Sequence, residues 1–178
     1  GVMGRDVTFI HGTTFPGEAW KRIAGSGGHL SIAAPIEMEM GHGIPPIQAA
    51  LDHGIRPSLS VDVETQMPSD FFTQMRTVFT LQRMQALARQ RNGEANVPRL
   101  LTVKEVVEFA TVAGARANRL ESRAGTLTPG KQADIVMLRM DAINVLPVNN
   151  AYGAIVLGMD TSNVDTVIIR GAVRKQHG

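Results

Sequence analysis

Short β-rich runs that alternate with helix-forming segments constrain the fold of this chain most strongly. The runs are Val7–Ile10, Leu30–Ala34 and Pro57–Val61, and each is followed by residues that favour turns or helices. Strands that alternate with helices along a chain normally pair in parallel, with the helices covering the sheet. The sequence therefore predicts an α/β fold built from three βα units.

The helix-forming segments have recognisable ends. Phe15–Ala24 stops at a glycine-rich turn, and Ile47–His53 begins after two prolines and stops at Gly54. A long helix is predicted from Ser69, as its N-cap, to Arg91, and another from Thr102 to Asn118, where Thr102 and Glu105 form a capping box. Pro35 to Gly43 is predicted to be a loop.

The chain changes character near residue 122. Beyond it, turn-forming residues separate three β-rich runs, Asp134–Leu138, Val164–Arg170 and Ala172–Arg174. We therefore expect three βα units with a parallel sheet over residues 1–122 and a small β-rich piece over residues 123–178. The 178 residues are too few for a closed eightfold βα barrel, which needs about 200–250.

Two polar residues directly follow predicted strands. His11 ends the first run and Asp62 ends the third, and functional groups of parallel α/β folds collect at the carboxyl ends of strands. An imidazole and a carboxylate there suit metal binding or proton transfer. By spacing alone the structural alternative is the more common one, since an Asp after a strand is more often a helix cap or a loop hydrogen-bonding residue and a lone His is more often a structural hydrogen-bonding residue.

Further candidates lie in the neighbouring loops. Glu37 and His42 fall within the predicted loop on the crevice side, and Glu64 follows Asp62. We expect these three as substrate-binding residues. For Glu37, His42 and Glu39, which lies in the same loop, a merely solvated role is the alternative. The glycine-rich stretch at 25–28 follows a helix, and so it does not match a phosphate-binding loop.

Several motifs together resemble one known family. The segment Gly125-Thr-Leu-Thr-Pro-Gly-Lys-Gln-Ala-Asp-Ile-Val-Met-Leu138 is similar to the C-terminal signature of the amidohydrolase superfamily. Val7–His11 and Pro57–Asp62 resemble the sixth and eighth strands of its barrel, with their His and Asp. The similarity extends over nearly the whole chain, and the deaminase and triazine chlorohydrolase branch is the most similar. It implies that residues 1–122 are a partial βα barrel, the last three-eighths of a TIM-type barrel, and that residues 123–178 are the β-rich part of a composite sandwich domain.

The resemblance also implies roles. Asp62 would be a ligand of a divalent metal, Zn or Fe, and would carry a proton from the attacking water to the leaving group. His11 would hydrogen-bond the metal-bound water or the substrate. The complete enzyme would hydrolyse a C–N or C–Cl bond of a small-molecule substrate.

The chain lacks part of what the family needs for that chemistry. It contains no His-x-His pair, which the family carries on its first strand, and it begins at the sixth strand. We therefore expect a C-terminal fragment that does not bind the metal or turn over substrate by itself. It would work with the missing N-terminal half or as a homo-oligomer. The alternative is a non-catalytic α/β interaction module.

The composition limits the classes of binding partner and the cellular location that we expect. No cysteine is present, which is typical of a cytoplasmic protein, and no apolar run is long enough to span a membrane. Eight arginines between Arg76 and Arg123 could form a nucleic-acid surface, but the formal net charge is only +2 and aromatic residues are 4% of the chain. We expect neither a nucleic-acid nor a membrane partner.

Overall fold

A parallel three-stranded sheet and its helices form the first part of the molecule, in a computed structural model that describes residues 2–177. The elements are β1 (Thr8–Ile10), α1 (Gly17–Ser26), β2 (His29–Ile32), α2 (Ala34–Glu39), α3 (Ile47–Asp52), β3 (Ser58–Leu59), α4 (Phe71–Arg91) and α5 (Val103–Glu108). A π-helical segment (Phe109–Ala113) joins α5 to α6 (Gly114–Ala117).

The strands pair in the order β1-β2-β3. Thr8 lies opposite His29 and Ser31 lies opposite Ser58, with all strands parallel. The predicted α/β fold with three βα units is confirmed. Because the strands point the same way, the residues that follow β1 and β3 emerge at one end of the sheet.

The buried core lies between the sheet and the helices. Its fully buried members include Leu30 and Ile32 of β2, Val78 of α4 and Phe109 of the π-helical segment. Removing apolar surface from water is the main stabilising contribution to such a core. The core therefore holds the strand ends, and the residues that follow them, in fixed positions.

Helix α4 begins one residue later than the sequence predicts. The N-cap is Asp70, whose carboxylate accepts a hydrogen bond from the Thr73 backbone N–H (2.7 Å). Ser69 instead donates its hydroxyl to Glu64 (3.1 Å). The prediction of Ser69 as the N-cap is wrong, because both residues can cap a helix and only the chain path decides which one does.

Residues 35–43 do not form a continuous loop. Helix α2 begins directly after β2, with Pro35 in its first turn. Proline is favoured there because its missing N–H has no partner in a first turn and its fixed φ suits a helix. Pro35 thus starts a helix as well as ending a strand, and Glu37 becomes a helical residue.

The second part contains a small antiparallel sheet. Its elements are β4 (Ile135–Leu138), α7 (Ala151–Gly153) followed by a π-helical segment (Ala154–Gly158), a 3₁₀ turn (Thr161–Asn163), β5 (Val164–Ile169) and β6 (Ala172–Lys175). The order β4-β5-β6 matches the three predicted runs. Val156 packs into the core of the first part, so the core extends across residue 122.

Candidate active site

His11 lies where β1 ends. Its backbone N–H donates to Ser31 O (2.9 Å), which extends the pairing with β2 by one residue. The chain then turns through two left-handed residues, His11 (φ +64°) and Gly12 (φ +76°). A Cβ on Gly12 would lie 3.2 Å from both Phe15 and Trp20, so only glycine fits this turn without displacing them. The turn leaves the His11 imidazole partly exposed at the sheet end.

Asp62 takes a matching position beyond β3. Ser60 continues the pairing through its N–H to Ile32 O (2.8 Å), and Asp62 then adopts a left-handed φ of +71°. Non-glycine residues in this conformation are uncommon, and such strain collects at functional sites. About a third of the Asp62 side chain, 37%, remains exposed.

The two side chains lie together although 50 residues separate them in the sequence. His11 Nε2 is 3.6 Å from Asp62 Oδ2, which is longer than a direct hydrogen bond. Both groups therefore keep hydrogen-bonding capacity for a third molecule at the sheet end.

Glu37 holds the other side of the imidazole. Its Oε1 lies 3.1 Å from His11 Nδ1 and accepts the Ala33 backbone N–H at 2.9 Å. No part of the Glu37 side chain is exposed, and its Oε2 has no hydrogen-bond partner among the described residues. Glu37 is thus buried against the Nδ1 side of His11, and its predicted role in substrate binding stays a prediction.

The remaining candidates differ in their distance from this group. The exposed His42 ring packs edge-on against the His11 ring, with centroids 5.5 Å apart. Glu64 is exposed and accepts the Ser69 hydroxyl on the approach to α4. The structure therefore gathers His11, Glu37, His42 and Asp62, while the observed contact of Glu64 is with Ser69.

Metal binding at this site needs more ligands than the group provides. The partly exposed Asp62 carboxylate has the donor chemistry of a single ligand for a divalent metal. Among residues 2–177, no cluster of three or more His, Cys, Asp or Glu side chains could hold an ion. Protein zinc sites use at least three protein ligands, so these residues fit one part of a metal site and not a whole one.

Comparison with known proteins now places the chain. The family model described as "Amidohydrolase family" matches residues 2–174. The chain belongs to the amidohydrolase family. The resemblance noted in the sequence is confirmed, and the family is one of hydrolytic enzymes.

Curated relatives that match this chain include deaminases. The 5-methylthioadenosine/S-adenosylhomocysteine deaminase of Desulforudis audaxviator is 30% identical over 97% of this chain and 38% of the relative. The 5'-deoxyadenosine deaminase of Methanobrevibacter smithii is 26% identical, with the same shares covered. The chain thus spans about 38% of the length of these relatives.

Solved structures confirm the fold. A Xanthomonas campestris adenosine deaminase with bound zinc matches 99% of this chain and 38% of its own, at 22% identity and a TM-score of 0.84. The zinc complex of an Arthrobacter aurescens atrazine chlorohydrolase matches 98% of this chain and 37% of its own, at 19% identity and a TM-score of 0.85. The parallel sheet and its helices therefore form part of a larger barrel fold in these structures.

The helical position of Glu37 differs from the loop that the sequence pattern predicts over residues 35–43. The signal was available: a proline followed by Ile36, Glu37 and Met38 suits the first turn of a helix. The contact between Glu37 and His11 could not be predicted from the sequence, since only sheet pairing brings the ends of β1 and β2 together.

Proposed function

We propose that this chain supplies the C-terminal part of a metal-dependent hydrolase that cleaves a C–N bond of a small molecule. The observation that carries the proposal is the pairing of His11 and Asp62 at the carboxyl ends of parallel strands, 3.6 Å apart. Family membership supplies the reaction class. The deaminase relatives make an aminated purine nucleoside the first substrate to test.

Two side chains carry out the chemistry in this proposal. Asp62 accepts a proton from the attacking water and returns it to the leaving amine, as a carboxylate within reach of both can do. His11 Nε2 accepts a hydrogen bond from the attacking water or from the reacting substrate group and so orients it. His42 borders the same space, and Glu64 is proposed as a more distant substrate contact.

Asp62 is also the proposed ligand of a divalent metal, zinc or iron. Such an ion lowers the pKa of water and polarises the bond to be cleaved. Zinc in the two similar structures supports this assignment. The other ligands must come from residues beyond those described, and so we propose that the chain acts with an N-terminal portion comparable to that of its relatives.

In this proposal the two predicted domains contribute different parts of the enzyme. Residues 1–122 contribute the barrel units and residues 123–178 belong to the composite sandwich domain.

Among residues 2–177, no helix is both long and apolar enough to cross a membrane. The cytoplasmic location and the absence of a nucleic-acid partner stay predictions.

The test combines metal analysis with complementation. The 178-residue chain should purify without stoichiometric zinc or iron and should release no ammonia from 5'-methylthioadenosine. Coexpression with the part of the Desulforudis audaxviator relative that the chain does not cover should restore ammonia release. Asp62→Asn should abolish that release. Activity that survives this substitution, or turnover and tight metal binding by the chain alone, would contradict the proposal.

A second candidate is a non-catalytic module that associates through its sheet. Strands β1 and β3 are edge strands within this chain, and Ile10 of β1 is 53% exposed. Unpaired edges with apolar side chains favour association with another chain. This candidate predicts oligomers whose formation is unaffected by Asp62→Asn.

A further inference from the structure

We propose that Glu37 is a positioning residue that fixes the tautomer and the orientation of His11, and not a substrate contact. The inference rests on the proposed function only for the chemical use of His11. Its structural content, a buried hydrogen-bond acceptor that holds one ring nitrogen, stands on the geometry alone.

The first step is the attachment of Glu37 itself. Its Oε1 accepts the N–H of Ala33, the residue that caps α2, and its own backbone N–H donates to Ala33 O (3.0 Å). Two hydrogen bonds thus connect Glu37 to the junction between β2 and α2. The side chain is fully buried, which restricts its rotamers. Glu37 is therefore a fixed acceptor.

The second step is the choice of tautomer. Nδ1 of His11 lies 3.1 Å from Oε1, and the oxygens of an ionised carboxylate only accept hydrogen bonds. In a neutral imidazole one nitrogen carries the proton and the other accepts, and the partner of one nitrogen decides which form is present. Glu37 therefore places the proton on Nδ1 and leaves the lone pair on Nε2, the nitrogen that lies 3.6 Å from Asp62 Oδ2.

The third step is ring orientation. The Glu37 contact holds one edge of the imidazole, and the His42 ring packs against it edge-on at 5.5 Å. A ring held in this way presents Nε2 in a defined direction without any ligand. Removal of a carboxylate that orients a metal-binding histidine typically lowers activity by about 10–100-fold, and we expect an effect of that order for His11.

The decisive experiment measures the His11 tautomer by nitrogen NMR. The 178-residue chain, with ¹⁵N-labelled histidine and without metal or substrate, should show the Nδ1–H form in about tenfold or greater excess, as expected for a hydrogen bond to a carboxylate. His11→Gln assigns the signal. Glu37→Leu should remove this excess, and Glu37→Gln, which keeps an oxygen acceptor, should largely preserve it.

Glu39→Leu is the matched control, because Glu39 is an exposed glutamate on the same helix. It should leave the tautomer ratio unchanged. Protonation of Nε2 in the wild-type chain would overturn the inference even if Glu37→Leu does not fold. An unchanged ratio in a folded Glu37→Leu variant would also overturn it.

Kinetics separate positioning from substrate contact. In the complemented enzyme, Glu37→Leu should lower kcat by about 10–100-fold with little change in KM, and Glu37→Gln should restore much of kcat. A rise in KM with kcat unchanged would instead assign Glu37 to substrate binding. Because the NMR readout needs no turnover, failure of the proposed hydrolysis and failure of this inference remain distinguishable.

Discussion

His11 and Asp62 keep left-handed backbone conformations that glycine would adopt more readily. Their φ values are +64° and +71°, and each such residue costs of order 1–3 kcal/mol. The conformation turns both side chains toward the end of the sheet. At the scale of single residues, the site therefore stores strain where the proposed chemistry takes place.

Asp62→Gly tests this strain. The substitution should raise the free energy of unfolding by about 0.5–1 kcal/mol, because relief of the left-handed strain exceeds the extra chain entropy of glycine. Denaturant unfolding measures the change, and the variant should show no hydrolytic activity in the complemented enzyme.

Arg119→Gly provides the matched control, since Arg119 has a similar φ of +58° outside the site. It should also stabilise the chain but should leave activity intact. Destabilisation by Asp62→Gly would show that contacts of the carboxylate outweigh the backbone strain.

At the scale of secondary-structure elements, the caps of α4 and α5 fix where the helices behind the sheet begin. Asp70 caps α4, and Thr102 forms with Glu105 the predicted capping box of α5. Caps satisfy backbone N–H groups that would otherwise lack partners. Loss of either cap should lower the free energy of unfolding and should leave the residues of the candidate site in place.

Asp70→Ala should lower the free energy of unfolding by about 1 kcal/mol, because the Thr73 N–H loses its acceptor. Ser69→Ala should change it by less than about 0.5 kcal/mol. Urea unfolding of the two neighbouring variants measures both effects. Equal losses would mean that both residues cap α4.

The Glu105 carboxylate in the capping box of α5 should make the free energy of unfolding depend on pH in the acidic range. The hydrogen bond from the Arg99 guanidinium lowers the pKa of Glu105 from 4.5 to about 2. Because the folded-state pKa is the lower one, the stabilisation is complete above about pH 4.5 and is lost as the pH falls toward about 2. Because Arg99 is mostly exposed, solvent screens its interaction with Glu105. We therefore expect Glu105 to contribute about 1 kcal/mol to the free energy of unfolding.

Glu105→Gln should remove this part of the pH dependence. Urea midpoints near neutral pH and near about pH 3 should differ less for this variant than for the wild type. Glu94→Gln is the control, since Glu94 is half exposed and its nearest charged partner, Arg89, is 3.9 Å away. An unchanged acid dependence in Glu105→Gln would contradict the assignment.

At the scale of the whole molecule, the chain presents sheet edges that lie within a larger barrel in its structural relatives. The chain matches 37–38% of those chains. Edge strands carry unpaired N–H and C=O groups, which promote association when apolar side chains accompany them. The large apolar side chain most exposed in the parallel sheet is Ile10.

Self-association of the isolated chain should therefore depend on β1. Sedimentation velocity should show a concentration-dependent increase in mass, and Ile10→Lys should weaken it about tenfold or more, as a charge at an edge opposes pairing. Ile143→Lys, at an exposed residue outside both sheets, should have no effect. A monomer at all concentrations would contradict this prediction.

Much of the fold could be predicted from local signals. The three βα units, the capping box at Thr102 and the antiparallel runs near the C-terminus follow from periodicity and turn residues over short windows. The start of α4 and the helix at Pro35 could not be fixed in this way. Ser69 and Asp70 have similar capping ability, and a proline can end a strand or begin a helix.

The candidate site, too, could be predicted from the sequence only in part. Sequence alone determined that a His and an Asp follow strands, since residue type and spacing are local properties. Tertiary structure alone decided that their side chains lie 3.6 Å apart and that Glu37 is buried behind His11. The reason is physical: sheet pairing and core packing bring together residues that are distant in the sequence, and local preferences do not encode those distances.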